Sequence, residues 1–181
     1  MRHERARSVR LLAMDVDGVL TRGDVVYSDA GTETKVFNIR DGLGISLAHG
    51  GGLVTAIVSG RTSAAVEKRA RELGVGYLYQ GCRDKAAGMR QLCAESGVCR
   101  EETAFIGDDL NDIPAFAECG WKIAVSSASE DLKARADHVT ELPGGHGAVR
   151  EVIELILKAQ GKWTSAVEQY LRRLEQSECQ T

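Results

Sequence analysis

Apolar positions along the chain change period repeatedly. Residues 9–16, VRLLAMDV, form a short apolar run that ends in carboxylates. Residues 53–60 (LVTAIVSG), 75–81 (VGYLYQG), 103–109 (TAFIGDD) and 122–125 (KIAV) have the same character. Short runs rich in β-branched residues and bounded by Gly or turn residues predict buried parallel strands. Helical patterns lie between them. Residues 63–73 place Val66, Ala70 and Leu73 on one stripe and stop at Gly74. Residues 84–95 carry Ala86, Met89, Leu92 and Cys93 before Gly97, and residues 111–119 run from an N-cap candidate, Asn111, to Gly120. A last long stripe holds Val149, Val152, Ile153 and Ile156. Alternating strands and helices predict a Rossmann-like parallel α/β sheet with helices on both faces.

Two segments break the alternation. Residues 25–38 alternate weakly around Ser28, Asp29, Ala30 and Gly31, which predicts a small β-hairpin over about 24–38. After Gly161, Trp163, Val167, Tyr170, Leu171 and Leu174 mark an amphipathic tail helix, which either docks on its own domain or meets a partner. The expected organisation is one domain over residues 1–161 and a helical tail over 162–181, with no internal repeat.

The chain has 181 residues, enough for one sizeable core. Lys and Arg number 23 against 26 Asp and Glu, a net charge of −3, and aromatics make up 5%. No basic excess or stacking surface points to nucleic acid or to an anionic membrane. The longest uncharged stretch, 43–60, holds His49 and three consecutive glycines at 50–52, so it reads as helix end, turn and strand rather than a membrane span. The basic start is followed by only LLAM before Asp15, too short for a secretory leader. Cys82, Cys93, Cys99, Cys119 and Cys179 have neither a disulfide framework nor zinc spacing. Reduced thiols in the cytoplasm are expected.

Reactive groups in α/β sheets gather at the carboxyl ends of strands. Four such ends are notable here. They give Asp15 and Asp17, then Ser59 and Arg61, then Asp84–Lys85 at a helix start, then Asp108, Asp109 and Asp112. Several carboxylates in one crevice repel one another and lose hydration, and a divalent cation removes the problem. Hard oxygens without a His or Cys cluster point to Mg2+ rather than zinc. Lysine and serine beside that metal make a site for phosphoryl transfer, and a carboxylate can serve as nucleophile. Residues i and i+2 of a strand share a face, so Asp15 and Asp17 can reach one phosphate. A phosphoacceptor receiver domain uses similar residues, but there the acid pair comes first and Lys last. Here Lys85 precedes Asp108 and Asp109.

Over roughly residues 10–150 this constellation resembles the haloacid dehalogenase-like phosphohydrolases. The resemblance implies that Asp15 is the nucleophile, Asp17 the general acid and base, and that Ser59 and Lys85 hold the phosphate. It implies a metal site of Asp15, Asp108 and the Asp17 main-chain carbonyl, supported by Asp109 and Asp112. Asp15 and Ser59 are 44 positions apart, and Ser59 and Lys85 are 26 apart. Neither gap has room for a cap domain, so a capless member is expected. The phrases DVDGVLT, KVFNIRDGLGI, SGRTSAAVEKRARELG, YLYQG, IGDDLNDIPAF and ADHVTELPGGHGAVREVIELILKAQGK are similar to those of the capless family that hydrolyses 3-deoxy-D-manno-octulosonate 8-phosphate (KDO 8-phosphate), a lipopolysaccharide precursor step. That resemblance implies substrate contacts at Asp17, Asn38, Ile39, Arg40, Asp41, Gly42, Ser46, Arg61, Arg69 and Lys85. It also implies a small sugar-phosphate partner and a homotetramer in which hairpins complete neighbouring sites. Arg22 and His146 depart from the family pattern. A 9-carbon (KDN or sialate 9-phosphate) substrate, or an idle oligomerisation module of the same fold, are the alternatives.

Overall fold

The computed structural model describes residues 2–178. Cys179 lies outside them. In chain order the elements are α1 (Arg2–Ser8), β1 (Leu11–Met14), β2 (Val26–Tyr27), β3 (Glu33–Thr34), α2 (Ile39–Gly50), β4 (Val54–Val58), α3 (Ala64–Leu73), β5 (Tyr77–Tyr79) and α4 (Lys85–Ser96). There follow β6 (Thr103–Gly107), α5 (Ile113–Phe116), β7 (Trp121–Ala124), α6 (Glu130–Lys133), β8 (His138–Val139), α7 (Ala148–Ala159) and α8 (Trp163–Glu178).

Six strands form one parallel sheet in the order β5-β4-β1-β6-β7-β8. The central strands β1 and β6 are buried along their whole length, as their unbroken apolar runs require. The chain leaves β1 for β4 and β5, then returns to β6 on the other side. With right-handed crossovers, that reversal puts helices on both faces. The reversal point lies beside β1, where ligands of such sheets bind.

The five long-run strands appear where the apolar runs place them, the first four trimmed by two to four residues and the last shifted by one. The helix expected over 111–119 is shorter. A 3-10 turn, Leu110–Asp112, precedes α5, and Asp109 rather than Asn111 caps it, accepting from Leu110 N at 2.8 Å. Strand β8 and helices α1 and α6 were not foreseen. They span two, seven and four residues. Elements of two or four residues are too short to show a period.

The hairpin is present: β2 and β3 pair antiparallel, Val26 with Thr34 and Tyr27 with Glu33, outside the main sheet. Its turn closes through Ser28 N to Thr32 O at 3.0 Å and Gly31 N to Ser28 O at 2.8 Å. Helix α8 packs on α2 and α7. Ala166 is buried in that contact, and Arg150 and Lys158 lie over the Trp163 ring at 5.0 and 5.8 Å. No helix among the described residues is long and apolar enough to cross a membrane.

Candidate active site

Strand β1 carries Asp15 to the carboxyl edge of the sheet, where Asp15 N donates to Ile106 O at 3.0 Å. The neighbouring β6 ends at Gly107 and delivers Asp108 beside it. Helix α4 supplies Lys85 from its first turn, with Asp84 capping that turn by accepting from Ala87 N at 3.0 Å. Lys85 Nζ lies 2.7 Å from Asp15 Oδ2 and 2.5 Å from Asp112 Oδ1. These three side chains are 1%, 5% and 0% exposed. The other Asp112 oxygen accepts from Asp108 N at 2.8 Å and Asp109 N at 3.5 Å. Asp15, Asp108 and Asp112 each place an oxygen within 4.8 Å of the others.

Two glycines make this density possible. A Cβ on Gly18, whose φ is +86°, would sit 2.0 Å from Asp108 Oδ2. A Cβ on Gly107 would sit 2.4 Å from Asp112 Oδ2. The DVDG and IGDD phrases therefore bring backbone and carboxylates together by omitting side chains.

Burial and crowding set the electrostatics. Burial first, then the Asp112 charge, push the Asp15 carboxyl up to about 6. Asp108 is pushed up to about 8 by burial and by Asp112 and Asp15. Burial pulls the Lys85 ammonium down, but Asp15 and Asp112 more than reverse it, so its pKa stands above the usual lysine value. Lys85 is thus a fixed positive charge in a pocket with an excess of negative groups.

The ion pairs of Asp17 are with the hairpin and with Arg61. Its carboxylate is held by the Lys35 ammonium, which also bonds Glu33 Oε1 at 2.9 Å. Arg61 closes the group, 3.2 Å from Glu33 Oε1, 3.8 Å from Asp17 Oδ2 and 3.4 Å from the Tyr27 hydroxyl. Ser59, at the end of β4, is buried, and its Oγ accepts from Arg61 N at 3.3 Å.

The stretch entering α2 lies beside these groups but is largely committed to structure. Asn38 caps α2 by accepting from Arg40 N at 2.8 Å, and its amide donates to Gly145 O at 3.1 Å. Asp41 is 1% exposed, and its carboxylate accepts from Gly147 N at 3.2 Å and Arg150 N at 2.9 Å. A substrate contact was expected of Asp41; in the structure its oxygens serve the first turn of α7. Gly42 lets the Arg69 guanidinium pack on α2, since a Cβ there would meet it at 2.3 Å. Ser46 Oγ donates back to Gly42 O at 3.3 Å. Arg69 bonds Glu72 at 3.4 Å. Arg40 and Ile39 are exposed.

A family model of haloacid dehalogenase-like hydrolases matches residues 78–153. The chain is 43% identical to the 3-deoxy-D-manno-octulosonate 8-phosphate phosphatase KdsC of Escherichia coli, over 90% of this chain and 86% of the relative. It is 44% identical to the Yersinia pestis enzyme of the same name, over 90% and 87%. The chain belongs to the KDO 8-phosphate phosphatase family of haloacid dehalogenase-like hydrolases. A solved family member from Moraxella catarrhalis, in complex with a magnesium ion, a phosphate ion and KDO, superposes with a TM-score of 0.90 at 42% identity, covering 93% of this chain and 97% of that one. The cobalt-bound phosphatase from Haemophilus influenzae gives 0.85 at 40%, covering 88% and 93%.

This chain's own residues fit a metal of that kind. Three carboxylates crowd one point without a His or Cys among them, a donor set suited to a hard cation. Asp112 spends both oxygens on Lys85 and on backbone N–H groups. The Asp108 side chain makes no hydrogen bond or ion pair among the described residues, which leaves it open to a cation. The fold brings Asp15 and Asp108 together at the ends of the paired strands β1 and β6. Sequence reasoning missed Lys35, Glu33 and Tyr27. A signal existed: Glu33 and Lys35 are opposite charges two positions apart in the arm of the expected hairpin, where an extended backbone puts both on one side.

Proposed function

We infer that this chain is a magnesium-dependent phosphatase that hydrolyses KDO 8-phosphate to KDO and inorganic phosphate. The observation that carries the reading is the buried Asp15–Lys85–Asp112 cluster with Asp108, at the sheet edge of a chain 43% identical to such phosphatases. The curated relatives and the KDO-bound neighbour favour the 8-carbon sugar over the 9-carbon alternative. The complete set of reactive residues argues against an idle module.

Asp15 attacks phosphorus through a carboxylate oxygen. The bond from phosphorus to the sugar oxygen breaks, and Asp17 gives that oxygen its proton. An aspartyl-phosphate on Asp15 remains. Water then attacks the phosphorus, Asp17 takes the water proton, and Asp15 leaves with its carboxylate restored. Lys85 keeps Asp15 oriented and offsets charge on the phosphoryl oxygens, and Ser59 donates to one of them. Magnesium, held by Asp15, Asp108 and the Asp17 carbonyl, supplies charge neutralisation at the phosphoryl group. Arg61, Arg69 and Arg40 are the groups suited to the sugar carboxylate.

The described cysteines Cys82, Cys93, Cys99 and Cys119 are free thiols, which supports a cytoplasmic enzyme. A homotetramer is supported by the hairpin. Val26, Tyr27 and Val36 are 50%, 61% and 66% exposed on a two-stranded ribbon that needs packing to be stable.

The test is a panel of KDO 8-phosphate, KDN 9-phosphate and p-nitrophenyl phosphate, with magnesium and with chelator. Asp15→Asn should lose all three activities, by about 5 kcal/mol or more in the barrier. A tenth of parental activity in a pure Asp15→Asn sample, or preference for the 9-carbon sugar, overturns the reading.

A further inference from the structure

We propose that Lys35, carried on the hairpin, is a positioning residue that aims the Asp17 carboxylate for its proton transfers. This rests on the reading of Asp17 as general acid and base. The hairpin is otherwise an exposed ribbon, with Val26 half exposed and Tyr27 more so. Yet the Lys35 side chain is 1% exposed. Burying an ammonium on so thin an element is costly unless it is fully paired. Its partners are Asp17 and Glu33.

The geometry holds Asp17 from two sides. Lys35 bonds Oδ1, and Arg61 approaches Oδ2 at 3.8 Å. Glu33 links the two cations, at 2.9 Å from Lys35 and 3.2 Å from Arg61. The four groups carry no net charge, so the network orients without adding to the excess at Asp15 and Asp108. The ribbon has only two residue pairs, so this network is also what ties it to the catalytic edge. Among the described residues Lys35 makes no ion pair with Asp15 or Asp108. Of its two partners, Asp17 is the one that takes part in the chemistry.

That placement has a kinetic signature. A sugar alkoxide leaves badly and needs a proton; a nitrophenolate leaves well without one. Misaiming Asp17 therefore hurts the first step on a sugar phosphate and spares it on p-nitrophenyl phosphate.

The experiment uses the magnesium-loaded enzyme and compares Lys35→Met, Lys35→Arg and Asp17→Asn. Turnover of KDO 8-phosphate is measured beside the p-nitrophenol burst in stopped flow. Lys35→Met should lower kcat on the sugar phosphate about 100-fold, the size of loss that a misplaced catalytic group gives. KM and the burst rate should change less than about threefold, because ground-state binding and an acid-free step are untouched. Lys35→Arg keeps the charge and should recover at least about tenfold of the lost kcat. An equal fall in burst and sugar turnover, a change in KM alone, or no rescue by Lys35→Arg overturns the proposal. If Asp17→Asn shows the leaving-group dependence and Lys35→Met does not, only the Lys35 proposal falls. If Asp17→Asn shows none, the Asp17 reading falls and this proposal with it.

Discussion

Replacing Lys85 with methionine tests the electrostatic logic of the site most directly. The change keeps the length and removes the ammonium that touches Asp15 at 2.7 Å and Asp112 at 2.5 Å. All three side chains are at most 5% exposed, so water cannot take over. Truncating one partner of a buried ion pair costs about 3–5 kcal/mol. Total stability of a domain is only about 5–15 kcal/mol, so this is a large fraction. At about 2–4 °C per kcal/mol for a chain of this size, melting should fall by roughly 10 °C in chelator at pH 8.

The loss should shrink under two conditions. At pH 5 the carboxyls whose pKa values are already raised, to about 6 for Asp15 and about 8 for Asp108, take up protons and stop repelling. Saturating magnesium should also restore stability, and more of it in the variant than in the parent, because the cation supplies part of the missing charge. Scanning fluorimetry of both proteins, at two pH values with chelator or magnesium, reads all four combinations. A drop of less than about 3 °C at pH 8 in chelator, roughly one kcal/mol on the same scale, refutes the reasoning. So does a loss that is as large at pH 5 as at pH 8.

The remaining predictions concern the parent site and the α2 stretch. Raised carboxyl pKa values mean that the folded chain binds protons more tightly than the unfolded one. The stabilisation from Asp15 and Asp108 is therefore fully present below about pH 4 and lost as pH rises through about 6 to 8. Magnesium should accordingly raise the melting temperature more at pH 8 than at pH 6, and equal increments would contradict this. Asp41→Ala should cost about 1–2 kcal/mol in urea melts, the price of a lost helix N-terminal acceptor, with kcat on KDO 8-phosphate kept; a selective rise in KM without loss of stability would return Asp41 to the substrate side.

Much of the fold was legible because it rests on single-segment signals. The runs around Leu12, Ile57 and Ile106 read as strands since both sheet faces are covered, and the turn at Ser28 to Gly31 marked the hairpin. What was not legible is short or tertiary. Strand β8 is two residues long and gains its place by pairing with β7, Ile123 with His138 and Ala124 with Val139. The commitment of Asp41 to Gly147 and Arg150 spans more than a hundred positions, and no local pattern announces it. Lys35 and Asp17 are 18 positions apart, and the turn that joins them is what makes them neighbours.

The acidic phrase after β6 shows how geometry ranks residues that a motif treats alike. Asp109 and Asp112 enter the family pattern as equal supports of a metal site. In the fold they differ. Asp109 is exposed, and its side chain caps the 3-10 turn at Leu110 N. Asp112 is fully buried, and its two oxygens connect Lys85 on α4 with the N–H groups of Asp108 and Asp109. The first shapes the turn; the second couples the Lys85 cation on α4 to the backbone that follows β6. Loss of the Asp109 cap would cost only what an exposed cap contributes, about 1 kcal/mol. Loss of Asp112 would free Lys85, release the Asp108 backbone and leave a cavity against Gly107. The spacing D-D-x-x-D is therefore a scaffold for one buried carboxylate, and the neighbouring acids take their roles from where that carboxylate sits.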